Sequence, residues 1–277
     1  MKHKSAFMAA CLAALLALTF CPAGEARAGD EVDPLKKKLD RITSVIQQHL
    51  SAIDAAMTKA SKELAKTGLS GDEARAALLR LCAKWPTKSL ECFTTDADGA
   101  IAAIVPDEYA SYVGFDTKTI PEFREMQNTR RPCASEVFRM PKGEFAISYV
   151  WPVKTAKNEP MGTVCALADP ISSIDLAIAP ALGADTTNVW LVSTNGRMLY
   201  SRYHEDIGND PVIIPSSAGA SLPSLLKKIA AAPEGSGILK TPSVGHAGAK
   251  TQRCIWKSAR MRDIERRVVV VGARTSD

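Results

Sequence analysis

Apolar residues at Leu35, Leu39, Ile42, Ile46, Ile53, Met57 and Leu64 fall near helical spacing, with alanines between them and charges opposite. The pattern predicts one long amphipathic helix from Pro34 to Lys66, ended by Gly68. Ser70 is placed to cap a second helix containing Ala74, Leu78, Leu79 and Leu81, which Trp85-Pro86 stops. A helix this long needs a partner surface, so it is expected to pack alongside the rest of the chain or to dimerise.

Beyond Pro86 the pattern changes to short apolar runs, and one arrangement of them occurs twice. Around Phe93 an apolar run leads to Asp98-Gly99, a second run, Tyr109 and Gly114-Phe115-Asp116. Around Val189 the same order gives Asn195-Gly196, Met198-Leu199-Tyr200, Tyr203 and Gly208-Asn209-Asp210. Asp-Gly and Asn-Gly between apolar runs signal tight hairpins. Two copies at this spacing argue for two related modules rather than a solenoid.

In the first module, hairpin strands are expected at Leu90 to Thr95 and Ala100 to Val105, a loop from Pro106 to Thr117 and a short helix from Ile120 to Asn128. Strands should follow at Ser135 to Met140, Glu144 to Val153 and Gly162 to Ala168, then a connecting helix from Pro170 to Leu182. The second module repeats the order, with a helix from Leu222 to Ala232 and strands near Gly237 to Thr241, Thr251 to Ala259 and Arg267 to Ala273. Each module is thus expected to be a hairpin, a helical segment and a three-stranded meander. The fold class is α+β: a long N-terminal helix, then two antiparallel-sheet modules with helices on one face.

Lys2, His3 and Lys4 precede an apolar run from Ala6 to Phe20, and Ala26-Arg27-Ala28 supplies a small-x-small cleavage pattern. This reads as a secretory signal peptide cut after Ala28, giving a periplasmic or secreted protein from Gly29 to Asp277. Bulky Phe20 before Cys21 fits a lipoprotein signal poorly, and the run is short for a membrane anchor. The expected segments are 1–28 leader, 29–85 helices, 86–170 first module, 171–187 connector and 188–277 second module. Loss of three cations and one acid with the leader takes the formal charge from +5 to +3. So weak and scattered a balance argues against nucleic acid, and Lys36-Lys37-Lys38 reads as a solvated helix face.

Five cysteines remain after the leader: Cys82, Cys92, Cys133, Cys165 and Cys254. Cys82 and Cys92 flank the helix-to-strand turn, and a bridge there would contribute roughly 3 kcal/mol in the chain-entropy model. Cys165 and Cys254 read as buried small hydrophobes. No cysteine-histidine spacing fits zinc, so neither a metal nor a cofactor is expected. The GxSxG, GxxxxGK[ST], HExxH and GxGxxG motifs are absent. His49 reads as a helix-surface residue, His246 as a hairpin tip and His204 as a loop residue beside acids, so no catalytic residue is expected.

Binding is better supported. Tyr149 and Trp151 share one face of an alternating strand, Asp169 follows the last strand of the first module, and Arg124 lies on the short helix over that sheet, with Arg130-Arg131 ending it. An arginine and an aspartate converging with aromatics could clamp a small zwitterion or carboxylate. The alternative roles are core packing for Tyr149 and Trp151 and helix capping for Asp169.

With these elements in place, the chain resembles a double Cache sensor domain over nearly all of residues 34–277. The resemblance is carried by Asp98-Gly99, Pro106 with Tyr109, Gly114-Phe115-Asp116, Trp151-Pro152-Val153 and Gly162-Thr163-Val164. The second half adds Asn195-Gly196, Ile207-Gly208-Asn209 and the strand Val268 to Val271. It implies an extracytoplasmic PAS-like protein that binds a small metabolite in its first module, between the sheet and a segment from Tyr109 to Arg131. The expected ligand is a carboxylate, amino acid or amine, and the expected contacts are Tyr109, Arg124, Arg131, Tyr149, Trp151 and Asp169. Amino-acid-binding members carry a tryptophan-tyrosine pair near the arginine, where this chain has Met126 and Gln127. Such domains usually sit between membrane helices, whereas this sequence stops at Asp277; a membrane receptor or sensor is therefore the expected partner. Tyr200, Arg202 and Trp256 of the second module are expected to be structural. The rival reading is a non-binding scaffold for a membrane receptor, with an apolar-filled first module and Arg124 facing solvent.

Overall fold

The computed structural model describes residues 33–277 apart from 88, 204–206, 209–220, 243–248 and 277. The expected leader, His204 and His246 lie outside the described residues. Pro34–Asp277 forms one compact unit.

Helix α1 runs from Pro34 to Thr67, and α2 from Gly71 to Ala83. The stripe Leu39, Ile42, Ile46, Leu50, Ile53, Met57 and Leu64 is buried along the whole of α1 in one continuous core. That core holds Trp151 and Val164 from the first module together with Ile255 and Val268 from the second. Polar contacts fix the helix on both. Ser61 Oγ donates to Pro152 O at 2.7 Å, and Gln47 bonds both Arg260 O, at 2.6 Å, and Arg260 N, at 2.9 Å. Of the two expectations for the stripe, packing within the chain is the one realised. Cys82 and Cys92 meet where α2 turns into the first sheet, sulfur to sulfur at 2.7 Å.

The first sheet comprises β1 (Ser89–Thr95), β2 (Ile101–Val105), β3 (Cys133–Ala134), β4 (Phe138–Arg139), β5 (Phe145–Lys154) and β6 (Pro160–Ala168). Its order is β2-β1-β6-β5-β3, with β4 pairing β5. Helix α3 covers Pro121–Thr129 and α4 covers Pro170–Leu182. The second sheet comprises β7 (Asn188–Ser193), β8 (Met198–Ser201), β9 (Glu234–Pro242), β10 (Ala249–Met261) and β11 (Ile264–Ser276), in the order β8-β7-β11-β10-β9. Helix α5 covers Ser221–Ala231. Every pairing is antiparallel, and the wiring is the same in both modules.

The repeat seen in the sequence is therefore a repeat of topology, with one correction. The last strand of each module returns to pair with the first, so the hairpin joins the end of the meander to make one sheet. The hairpin glycines Gly99 and Gly196 have φ of 83° and 89°, where a side chain is disfavoured. Each donates its N–H back across the turn, to Asp96 O and Ser193 O. Of the predicted strand Ser135 to Met140 the structure keeps the short β4, Phe138–Arg139, and a further two-residue strand, β3, lies just before it. Between them Ser135 bonds Ser148 twice, its N–H to the Ser148 carbonyl and its Oγ to the Ser148 N–H.

Alternation along β5 separates two environments. Ile147, Tyr149, Trp151 and Val153 face α1 and α2, whereas Ala146 and Val150 face α3 with Phe93, Cys165 and Leu167. In the second module α5 fills the equivalent face with Leu222, Leu225, Leu226 and Ile229 against Trp256, whose Nε1 donates to Ala232 O at 3.1 Å. Arg202 donates to Thr187 O, and Tyr200 Oη to Asp175, so both have structural partners.

Met57 is completely buried, whereas Lys59 is exposed. Met57→Ala is expected to lower the unfolding free energy by about 2–5 kcal/mol in urea titration. Lys59→Ala on the same helix should change it by no more than about 0.5 kcal/mol.

Candidate functional site

The face of the first sheet turned away from α1 is covered by a 3-10 segment, Asp107–Tyr112, and by α3. The cover does not close down on the strands. Between them lies a cavity of about 780 Å³, a volume typical of small-molecule sites. Its apolar walls include Phe93 from β1, Ile104 from β2, Phe123 from α3 and Leu167 from β6. Phe93 and Phe123 stack at 5.7 Å between ring centroids and set the spacing of sheet and helix. Around the mouth Tyr109, Tyr112 and Phe115 form a chain of ring contacts, each pair 6.4 Å apart. Tyr112 and Phe115 are both exposed.

Four glutamates line this largely apolar space: Glu91, Glu122, Glu125 and Glu136. Glu122 sits in the first turn of α3, 9% exposed, and its carboxylate accepts from Ser148 Oγ on β5. Glu91, on β1, is pushed up to about 7 by burial, against the opposing pull of Lys142. Glu136 accepts from Asn195 Nδ2 of the second module at 3.3 Å through one oxygen, while its other oxygen is buried without a hydrogen-bond partner. Lys142 stands at the mouth, 5.0 Å over the Tyr109 ring, bonded to Glu108 at 2.9 Å and Tyr109 Oη at 3.4 Å. Among the described residues no group of three metal-ligating side chains comes together.

Of the six residues expected to bind ligand, Tyr109 lines this cavity and the other five stand outside it. Arg124 is exposed, its guanidinium donating to Thr119 O at 3.4 Å. It occupies the outer side of α3, whose inner positions are Glu122, Phe123 and Met126. Arg131 reaches the second module instead and pairs with Asp263 at 3.2 Å. Tyr149 and Trp151 do share a face, but it is the one packed on the helices, where Tyr149 lies 5.6 Å from the Trp85 ring. Asp169 caps α4, accepting from Ile171 N at 2.9 Å and Ser172 N at 3.4 Å. Glu91, Glu122 and Ser148 were not anticipated. The available signal was a polar residue inside a buried apolar strand, Ser148 in Ala146-Ile147-Ser148 and Glu91 between Leu90 and Cys92.

Residues 48–170 match the HK/GC/chemotaxis protein-like sensor domain. Two antiparallel modules of identical wiring on one long helix agree with it. The chain has the double Cache fold. Solved structures share the fold. An extracellular ligand-binding receptor from Desulfohalobium retbaense superposes with a TM-score of 0.69 at 21% identity over 86% of this chain. This chain spans 40% of that receptor's length. The ligand-binding domain of the Pseudomonas aeruginosa amino acid chemoreceptor PctB, in complex with L-Arg, gives 0.62 at 16% identity over 86% of this chain and 93% of its own. The corresponding domain of the Pseudomonas fluorescens chemoreceptor CtaA, in complex with L-isoleucine, gives 0.56 at 16%, covering 86% and 90%. No curated protein sequence matches significantly.

Two measurements check the electrostatics of the first module. The Glu91 carboxyl has a raised folded-state pKa, so its contribution to stability is complete below its ordinary value and is lost as pH rises through about 7. Glu91→Gln is therefore expected to gain stability over the parent between pH 4.5 and 7 and to hold a constant lead above that, in denaturation curves across pH. Asp169→Ala should cost about 1 kcal/mol through the lost helix cap, in urea unfolding of the same protein.

Proposed function

We propose that this chain is an exported sensor module that binds a small metabolite in its first Cache module and passes the signal to a membrane receptor or sensor. The observation that carries this reading is the cavity of about 780 Å³ between the first sheet and its cover, ringed by exposed aromatic residues. The scaffold reading expects that space to be filled, as the equivalent space over the second sheet is filled by α5 and Trp256. Solvent-facing Arg124 fits either reading, because the cavity is built without it.

Tyr109 is the contact retained from the sequence, and an amino acid, amine or carboxylate is the size of ligand the space takes. Chemoreceptor domains of the same fold were solved with L-Arg and L-isoleucine, and both belong in the first test set. Export rests on the leader sequence, with cleavage after Ala28. Among the described residues no helix is long and apolar enough to cross a membrane. Transmission through a partner is part of this proposal. A homodimer through α1 would have to use its polar side, since its apolar stripe is consumed within the chain.

A thermal-shift screen of the exported chain against amino acids, amines and organic acids tests the proposal. A ligand at a hundred times its dissociation constant adds about 2.7 kcal/mol, a shift of several degrees. Such a shift, suppressed by Phe93→Trp filling the cavity, is the expected result. No shift from folded protein across the panel would reject ligand binding.

A further inference from the structure

We propose that the first-module cavity recognises its ligand through an organic ammonium group, seated against Glu122 and Ser148 and enclosed by aromatic rings. This rests on the ligand-binding reading above and specifies the ligand class.

The charges around the cavity are unevenly placed. Its lining has four glutamates against three cations, Arg139, Lys142 and Arg197. The buried Arg266 guanidinium, bonded to Ser135 O at 3.3 Å, serves Glu136 and Glu125, which leaves Glu91 and Glu122 on the sheet and helix walls. Two of the three lining cations are already engaged at the edge. Lys142 is bonded to Glu108 and Tyr109, and Arg139 donates to Gly143 O at 3.2 Å with its guanidinium 4.3 Å over the Phe145 ring. Arg197 comes from the β7–β8 turn, the same turn whose Asn195 bonds Glu136. Among the described residues, no lysine or arginine hydrogen-bonds Glu91 or Glu122. A carboxylate offers about four acceptor positions, and a single side-chain donor, Ser148 Oγ, occupies one on Glu122. The rest of that capacity is available to a ligand cation.

Buried groups nearby register the same field. The Cys165 thiol, between β1 and β5, is pushed up first by burial and then by Glu122 and Glu91. Cys133 is pushed up to about 12 by burial, Glu125 and Glu122. A ligand whose only charged group is a carboxylate would bring a further negative charge into this space, with a desolvation cost and no counter-ion on the sheet wall. An ammonium meets the opposite situation.

The rings strengthen the same choice. Phe93, Tyr109, Tyr112, Phe115, Phe123 and Phe138 all line the cavity. Aromatic faces attract cations, more strongly where water is excluded. The chain's own Lys142 ammonium already sits over Tyr109, which leaves the other five rings to a ligand cation.

The test uses the exported chain with three probe sets: alkyl and aryl ammonium ions without a carboxylate, amino acids, and dicarboxylates. Ammonium compounds should raise the melting temperature and dicarboxylates should not. Glu122→Gln keeps acceptors for Ser148 but removes the charge, and it should weaken ammonium binding by about tenfold or more in calorimetry. If that variant does not fold, Ser148→Ala provides the same reading with a smaller loss. Dicarboxylates binding as well as amines, or wild-type ammonium affinity in a folded Glu122→Gln, would overturn the proposal while leaving the sensor reading intact. Silence across all three sets would overturn both.

The Cys82–Cys92 contact supports a second, independent inference: we infer that this pair oxidises to a disulfide joining α2 to β1. At 2.7 Å the two sulfurs are far inside their non-bonded separation, on elements held by the main core. Cys133, Cys165 and Cys254 are each buried, and none of them makes such a contact. The co-reactant is a disulfide-carrying oxidant protein. One thiol, as its thiolate, attacks that disulfide, and the second displaces the donor from the mixed intermediate. The donor leaves as its dithiol, carrying the two electrons and the two protons that the cysteine thiols gave up. Protein purified without reductant should be lighter by two hydrogens than reduced protein, and alkylation after unfolding should spare Cys82 and Cys92 alone. Alkylation of all five cysteines in the unreduced protein would overturn the inference.

Discussion

The apolar stripe of α1 is the constraint on which the rest of the molecule depends. A helix from Pro34 to Thr67 has little stability in water without a surface to bury its leucines and isoleucines. Both sheets supply that surface, and in doing so they share one core through Ile42, Ile53, Met57 and Leu64. Each sheet thereby commits one face to the helix. Whatever the modules do chemically is left to their other faces, and the helix fixes where those faces lie.

The two modules then diverge on the face that remains. Over the second sheet, α5 presents Leu222, Leu225, Leu226 and Ile229, and Trp256 fills the space beneath it. Gly235 is required there, because a Cβ at that position would stand 2.6 Å from the Trp256 ring. Over the first sheet, α3 is shorter and offers Phe123 and Met126, with Glu122 where another apolar residue would close the gap. The gap between β3 and β4 also leaves that edge of the sheet open. Among the described residues, the same wiring therefore carries a packed helical cover on the second sheet and a hollow one on the first.

Much of this fold was legible in the sequence. The α1 periodicity, the paired Asp-Gly and Asn-Gly turns and the α4 limits follow from local rules, and the structure agrees with them to within a residue or two. The return of β6 and β11 to pair with the first strands was not legible, because strand neighbours distant in sequence leave no local mark. The site was only partly legible. Alternation correctly grouped Tyr149 with Trp151, but period two cannot say which face meets the helices and which the cavity. That single ambiguity drew attention from Ser148 to its neighbour. Arg124 stood out by its charge, whereas the α3 residue that reaches the cavity is Glu122, two positions earlier. For Asp169 the local rule, a capping aspartate before Pro170, describes what the carboxylate does.

The central claim is that a ligand occupies the space between the first sheet and α3. A crystal structure of the exported chain grown with a compound that stabilises it tests this directly. The account predicts ligand density between Phe93, Phe123 and Leu167, with a nitrogen within hydrogen-bond reach of the Glu122 carboxylate. Density in the second module or at the molecular surface, with the first cavity empty, would contradict it.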